Sequence, residues 1–448
     1  MEVREYVVIN DEKFYIENDR LYISKVEVEN FEDIKGLENL KSLKELTLRH
    51  LGLKNLNNSI GNLKSLELLY LDFNLLTDLP EALGTLHYLK RLHLRHNKLK
   101  RFPDCIKDLK SIEYLDLSSN KGMKDLYKIK SLENFKTLDT LALDRVGLKK
   151  LPESIGNLES LENLFLKNNL LTNLPETLRN LSNLKYLAIG DNKFKKIPKC
   201  IGDLTSLEDL ELSGNDGIKN LVLLSKLPLL YSLDLGFCAL GEIPNNLCNL
   251  KKLRVLNLSG NNLNHVPSKF DNLNLLEGIG ISDNNFRIFP EILTHLTALK
   301  KVWCRKSNIF KLPDSFSNLE NLNDLSLNFN YLTRLPDSIG DLTSLELLRL
   351  GYNHLGGLPE SIGNLESITN LSLQGNKLKT LPRSIGNLQN LHELDLRENQ
   401  IKFLPETILN CGSLELLSLT SNPISTRRDP KTLDLLKELS DNNVAVLL

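Results

Sequence analysis

Leu345-Glu346-Leu347-Leu348-Arg349-Leu350-Gly351-Tyr352-Asn353, followed by Leu358-Pro359-Glu360-Ser361-Ile362-Gly363-Asn364-Leu365, is one turn of a pattern that fills the chain. Its Asn falls at the recurring positions 51, 74, 97, 120, 146, 169, 192, 215, 238, 261, 284, 307, 330, 353, 376, 399 and 422. Fifteen of the sixteen intervals are 23 residues and one is 26, so a single structural unit repeats with one insertion. Thirteen of the positions hold Asn; Leu51, Val146, Cys238 and Ser307 are the exceptions. The Leu-x-Leu ahead of each Asn puts two apolar side chains on one face of a strand and the residue between them on the other. One such strand cannot bury its apolar face alone, but stacked in parallel on its neighbours it builds a continuous core. The Asn amide can pair backbone groups that the turn out of the strand leaves buried. The four coils without it are expected to turn more loosely. The recurrent Pro fixes an extended entry to the outer segment, which Ile-Gly-Asn-Leu closes as a short helical or irregular turn.

Length alone would suggest about three domains, but a solenoid grows by nearest-neighbour contacts and escapes that limit. The reading is one uninterrupted array over residues 25–424, about 18 units, with a degenerate first unit whose strand pair is Val26 and Val28. The ends differ. Residues 6–9 and 13–16 alternate around Asn10-Asp11-Glu12, and 20–23 follow Asn18-Asp19, which reads as an antiparallel β cap over residues 1–24. At residues 425–448, Asp429-Pro430 opens a helix through Leu433, Leu436 and Leu439, and Asn442-Asn443 stops it before a strand over 444–448. Both natural ends are therefore expected to be present.

Charge and cysteine bound the setting. With 56 basic and 57 acidic residues the net charge is −1, which argues against nucleic acid or a membrane surface as partner. No apolar run reaches membrane-spanning length, and Glu2, Arg4 and Glu5 at the start do not suit a signal peptide. Six scattered Cys fit reduced structural thiols in a cytoplasmic protein.

A 23-residue unit of this form is the leucine-rich-repeat signature. The run Leu151-Pro152-Glu153-Ser154-Ile155-Gly156-Asn157-Leu158, recurring from Leu335, Leu358 and Leu381, resembles the repeats of the Ras-binding scaffold and of plant intracellular Ras-group proteins. It is also similar to long arrays of spirochaete and archaeal proteins and to the repeat arms of Roco-type GTPases. The resemblance implies an α/β solenoid, a horseshoe with a parallel sheet on its concave face and short turns on the convex one, that recognises proteins on the concave face. It implies neither enzyme activity nor a cofactor, and a small GTPase is one possible class of partner.

Catalytic motifs are absent: the chain has no phosphate loop, no G-x-S-x-G elbow and no H-E-x-x-H. His50, His93 and His96 crowd the first quarter, but strands two apart stand roughly 9–10 Å from each other, wide for joint metal ligation. Two coils, Asn120-Lys121-Gly122-Met123-Lys124-Asp125-Leu126 and Asn215-Asp216-Gly217-Ile218-Lys219-Asn220-Leu221, break pattern alike. An ancestral duplication explains them more simply than a binding edge. The insertion between Lys121 and Leu138 is expected to bulge outward.

Function must then rest on side chains facing away from the core. The early strands offer Tyr70, Phe73, His96 and Phe165; the middle is mostly small or acidic, with Phe237 the exception; the late strands offer Trp303, Arg305, Phe329, Arg349, Tyr352 and Arg397. Aromatic residues and Arg dominate interface hot spots. The register that buries Val302 and Cys304 turns Trp303, the only Trp, to the concave side, whereas a one-residue slip would bury Arg305. Phe329 and Tyr352 are expected at the positions equivalent to Trp303 on the next two strands. The expected molecule is a monomeric, non-enzymatic scaffold for a protein partner, a regulator of a small-GTPase system and a structural spacer being the alternatives.

Overall fold

The computed structural model describes residues 5–28, 30–123, 132, 134–426 and 430–448, in two compact units, Met1–Leu230 and Tyr231–Leu448. Each unit is a stack of coils. A three-residue strand such as Leu347–Arg349 pairs in parallel with the strand 23 residues on, and a 3-10 turn such as Glu360–Asn364 forms the opposite face. The register is exact, Leu348 facing Leu371 and Leu371 facing Leu394, because any slip would turn a Leu layer out to water.

The buried Asn ladder links the coils. The Asn97 amide donates to Leu71 O (2.9 Å) in the coil before and Leu94 O (3.1 Å) in its own, and its oxygen accepts Leu76 N–H (3.0 Å). Asn353 repeats the set at 3.0, 2.9 and 3.0 Å. The expected loosening at Ser307 is offset: its Oγ donates to Ile281 O (2.9 Å) or Arg305 O (3.0 Å), and its own carbonyl accepts Phe286 N–H (3.1 Å). Leu51, Val146 and Cys238 instead lend their backbone N–H to the Asn of the following coil, Asn74, Asn169 and Asn261.

The turn face explains the Gly of Ile-Gly-Asn-Leu. A Cβ on Gly363 would stand 2.3 Å from Ser384 O, and one on Gly156 2.3 Å from Thr177 O, so stacked turns approach too closely for any side chain. On the strand side, the residue just before each of the seventeen frame positions is left-handed, from His50 (φ 56°) to Ser421 (φ 62°). Only three of these seventeen, Gly214, Gly260 and Gly375, are glycine, although this conformation strains bulky side chains.

The ends correct two expectations. Strands β1 (Tyr6–Ile9) and β2 (Glu12–Tyr15) form the antiparallel hairpin, but β3 (Arg20–Ser24) pairs in parallel with β4 (Glu45–Arg49) and begins the array. The first strand pair is Leu21 and Ile23, both buried, in place of Val26 and Val28: only the former face Leu46 and Leu48. At the other end α1 (Pro430–Asp441) precedes a strand, Ala445–Leu447, parallel to Leu416–Ser418. Its inward face is Thr432, Leu436 and Leu439, at helical spacing of four and three, while Leu433 is 43% exposed. Asp429, and most of the insertion after Lys121, lie outside the described residues.

Candidate partner-binding face

Each strand offers its first and third residues to the sheet face, and two more follow, the second of them left-handed. In the first unit these positions form ring columns. His50, Phe73 and His96 stack at 4.3 and 4.6 Å with their planes within 13°. One row over, Tyr70 and His93 stack at 4.5 Å, and Tyr114, from the start of the next strand, stacks on His93 at 4.5 Å. The Arg49 guanidinium lies 4.5 Å from the Tyr70 ring centre and holds the buried Asp72 carboxylate at 2.8 Å. Burial pushes the Asp72 carboxyl upward despite Arg49. His93, enclosed by two rings, has no partner for Nε2, and burial first, then Arg49 and Arg91, lowers its pKa to about 4. Phe73 separates His50 from His96, and among the described residues no His, Cys, Asp or Glu trio is placed to hold a metal ion. Phe165 is half-buried, its ring centre 5.0 Å from that of Tyr186, whose hydroxyl donates to Glu211.

In the second unit Trp303 does face away from the core, half-buried between buried Val302 and Cys304. Its register partners are Gly280 and Ser326, then Arg349 on the strand beyond, so the expected alignment with Phe329 and Tyr352 is wrong. Those two rings follow Lys306 in the left-handed row, three residues further along each coil, where the chain has already turned out of the strand. The Trp303 ring instead leans back over Gly278, 3.8 Å from where a Cβ would stand. Phe329 and Tyr352 stack on each other at 4.6 Å and 7°, with Arg305 and Lys306 5.6 and 5.7 Å from the Phe329 ring centre. Tyr352 in turn lies over Gly375, and its hydroxyl is 3.4 Å from the Glu398 carboxylate.

Two of the chosen cations are held by their own carboxylates. Arg397 makes a bidentate bond to Asp395 (2.6 and 2.9 Å), which holds its guanidinium charged, and Arg349 pairs with Asp324. Frame counting also missed the row at the start of each strand. Arg91, Tyr114, Tyr186, Lys301 and Asp324 face outward there, one alternation step ahead of the position between the two Leu. Period-two geometry was the signal that could have found them.

Two family models match nearly the whole array: a leucine-rich repeat region over residues 21–141 and 115–242, and a leucine rich repeat over 228–286, 293–355 and 359–424. The chain belongs to the leucine-rich-repeat family, whose fold generally serves interaction and not catalysis. Comparison with the curated proteins gives no match. Among solved structures it is similar to a leucine-rich-repeat protein of Leptospira interrogans, 28% identical over 92% of this chain and 86% of that one, with a TM-score of 0.53. It is also similar to the ectodomain of the plant membrane receptor kinase GASSHO1/SCHENGEN3 from Arabidopsis thaliana, solved with CASPARIAN STRIP INTEGRITY FACTOR 2. That match is 26% identical over 99% of this chain and 60% of that one, with a TM-score of 0.64. A plant peptide hormone receptor, RGFR1 in complex with RGF2, is 28% identical over 93% and 71%, with a TM-score of 0.57. Among the described residues no helix is long and apolar enough to cross a membrane.

Proposed function

We propose that the protein is a non-enzymatic, monomeric scaffold of the cytoplasm that binds a protein partner on its sheet face. The observation that carries this reading is the run of large rings at left-handed positions, Phe73, Phe237, Phe329 and Tyr352, each 38–59% exposed. A bulky residue there costs of order 1 kcal/mol, and an outward aromatic needs a reason more than an outward Leu does. That the two plant receptors were solved in complex with CASPARIAN STRIP INTEGRITY FACTOR 2 and with RGF2 supports a binding role for the fold. Burial of all six thiols, three with pKa pushed up to about 12, suits a reducing compartment.

A small GTPase or its regulator is the partner class that the Leu-Pro-x-x-Ile-Gly-Asn-Leu resemblance favours. Capture from native lysate with GDP, with a non-hydrolysable GTP analogue and without nucleotide discriminates: dependence on nucleotide supports it, and equal recovery removes it. The scaffold reading requires a saturable partner lost in Trp303→Ala or Phe329→Ala at unchanged melting temperature. A partner recovered equally by both variants and by wild type would move the site elsewhere.

A further inference from the structure

The column of His50, Phe73 and His96 ends abruptly. The next residue in that left-handed row is Ser119, too short to continue the stack, and the one after is Arg145. Adjacent strands stand about 4.8 Å apart, so His96 and Arg145 flank a step one strand wide whose floor is Ser118 and Ser119. Arg95 stands beside His96 on the same coil. Ser119 is only 8% exposed and its Oγ has no hydrogen-bond partner, a state that ordinarily has a cause.

The acids nearby are recessed and engaged. Asp72 accepts Arg95 N–H (3.0 Å) and holds Arg49, Asp116 accepts Ser118 N–H (2.8 Å), and Asp144 accepts Lys167 N–H (2.6 Å). Among the described residues neither Arg95 nor Arg145 is in an ion pair. The accessible layer is therefore cationic over an acidic floor.

We propose that the notch over Ser119, bounded by Arg95, His96 and Arg145, binds a phosphate-monoester dianion carried on an aromatic side chain of a partner. Two guanidinium groups match its two charges, and guanidinium and imidazole donors together exceed what one carboxylate can accept. The ring face of His96 turned away from Phe73 gives the bearing ring a surface to stack on. Both arginines lower the His96 pKa, after burial, while Asp116 and Asp72 oppose them, so both cationic charges act on that imidazole. A bound dianion reverses that balance and raises the His96 pKa. The site rests on the reading of the sheet face as a recognition surface, but it can be tested without the macromolecular partner.

The test is a titration of the full chain with O-phosphotyrosine, followed by the His96 ring Cε1–Hε1 NMR signal, assigned by its absence in His96→Gln. A saturable shift is expected, half-complete at about 1 mM or below, with an upward move of the His96 titration midpoint. Arg95→Gln and Arg145→Gln should each weaken it ten-fold or more. Arg101→Gln, which removes an equal charge from an Arg paired with Asp78, should leave it unchanged. No saturable shift, an equal loss in Arg101→Gln, or tyrosine binding as well as phosphotyrosine would each overturn the notch. Loss of partner capture in Trp303→Ala concerns only the wider scaffold reading, so the two failures are distinguishable.

Discussion

Rings on the sheet face are supported in different ways in the two units. Between residues 45 and 116 they form continuous columns: every aromatic or imidazole ring has a ring on at least one side, and Arg49 and Asp72 fill the gaps. Between residues 237 and 375 glycines take the place of neighbouring rings: Phe237 lies over Gly260, Trp303 over Gly278 and Tyr352 over Gly375, Phe329 and Tyr352 form a single stacked pair, and Arg305 and Lys306 lie close to Phe329. A column satisfies itself and leaves its edges for recognition. A ring over glycine has no ring beyond it on that side and loses no stacking partner there by exchanging water for a partner protein.

Both faces stand on the same Asn ladder, and the largest expected effects come from cutting it. Asn97→Ala and Asn353→Ala each remove three buried hydrogen bonds and orphan their backbone partners. Each should cost about 3 kcal/mol or more, read by denaturant unfolding. If only one does, the two units are not built alike.

Trp303→Ala should weaken partner binding by about 2 kcal/mol with little change in melting, while Phe165→Ala, its ring already packed on Tyr186, should matter less. Calorimetric affinities of the two variants decide between a glycine-seated and a ring-seated hot spot. Reversed ranking would put the recognition surface in the first unit.

His93 makes the first unit acid-sensitive. Its folded pKa of about 4 lies below the ordinary histidine value of 6.5, so the unfolded chain binds the extra proton between those values. Stability is therefore present above pH 6.5 and is lost as pH falls towards 4, by roughly 2 kcal/mol after discounting for partial exposure. The raised carboxyls of Asp72 and Asp144 act in the opposite direction, so the His93 share is the difference between wild type and His93→Phe in melts from pH 7 to 4.5. Identical pH profiles would mean that the imidazole is solvated.

The smallest effect isolates stacking from backbone strain. Phe73→Gly and Phe329→Gly both relieve a left-handed bulky residue, worth of order 1 kcal/mol. Phe73 loses two ring partners and Phe329 one. Net destabilisation of about 1 kcal/mol is expected for the first and near zero for the second, by chemical denaturation.

Much of the fold was legible because a repeat prints its geometry at every turn. The 23-residue period dictated the register of Leu348 on Leu371, the inward Asn and the outward Trp303, since any other register puts charge in the core or Leu in water. The face was legible only in part. Sequence counting placed Trp303, Phe329 and Tyr352 in one row, although three residues and a left-handed turn separate the first from the others. It also passed over Tyr114 and Arg91 because it began each strand one step late.

What the sequence alone determined is therefore the repeat: which side chains build the core, where each coil turns, and which family it belongs to. These follow from local alternation and a fixed period, and both are properties of the chain in order. What only the tertiary structure decided is the company each outward side chain keeps. Arg397 is clasped by Asp395, Ser307 keeps its turn closed through Oγ, Leu433 is turned out of α1, and the Ser119 hydroxyl is left without a hydrogen bond between the coils of His96 and Arg145. Those outcomes depend on the lean of side chains across strands 23 or 26 residues apart, where small differences in packing choose among neighbours that the period makes equally near.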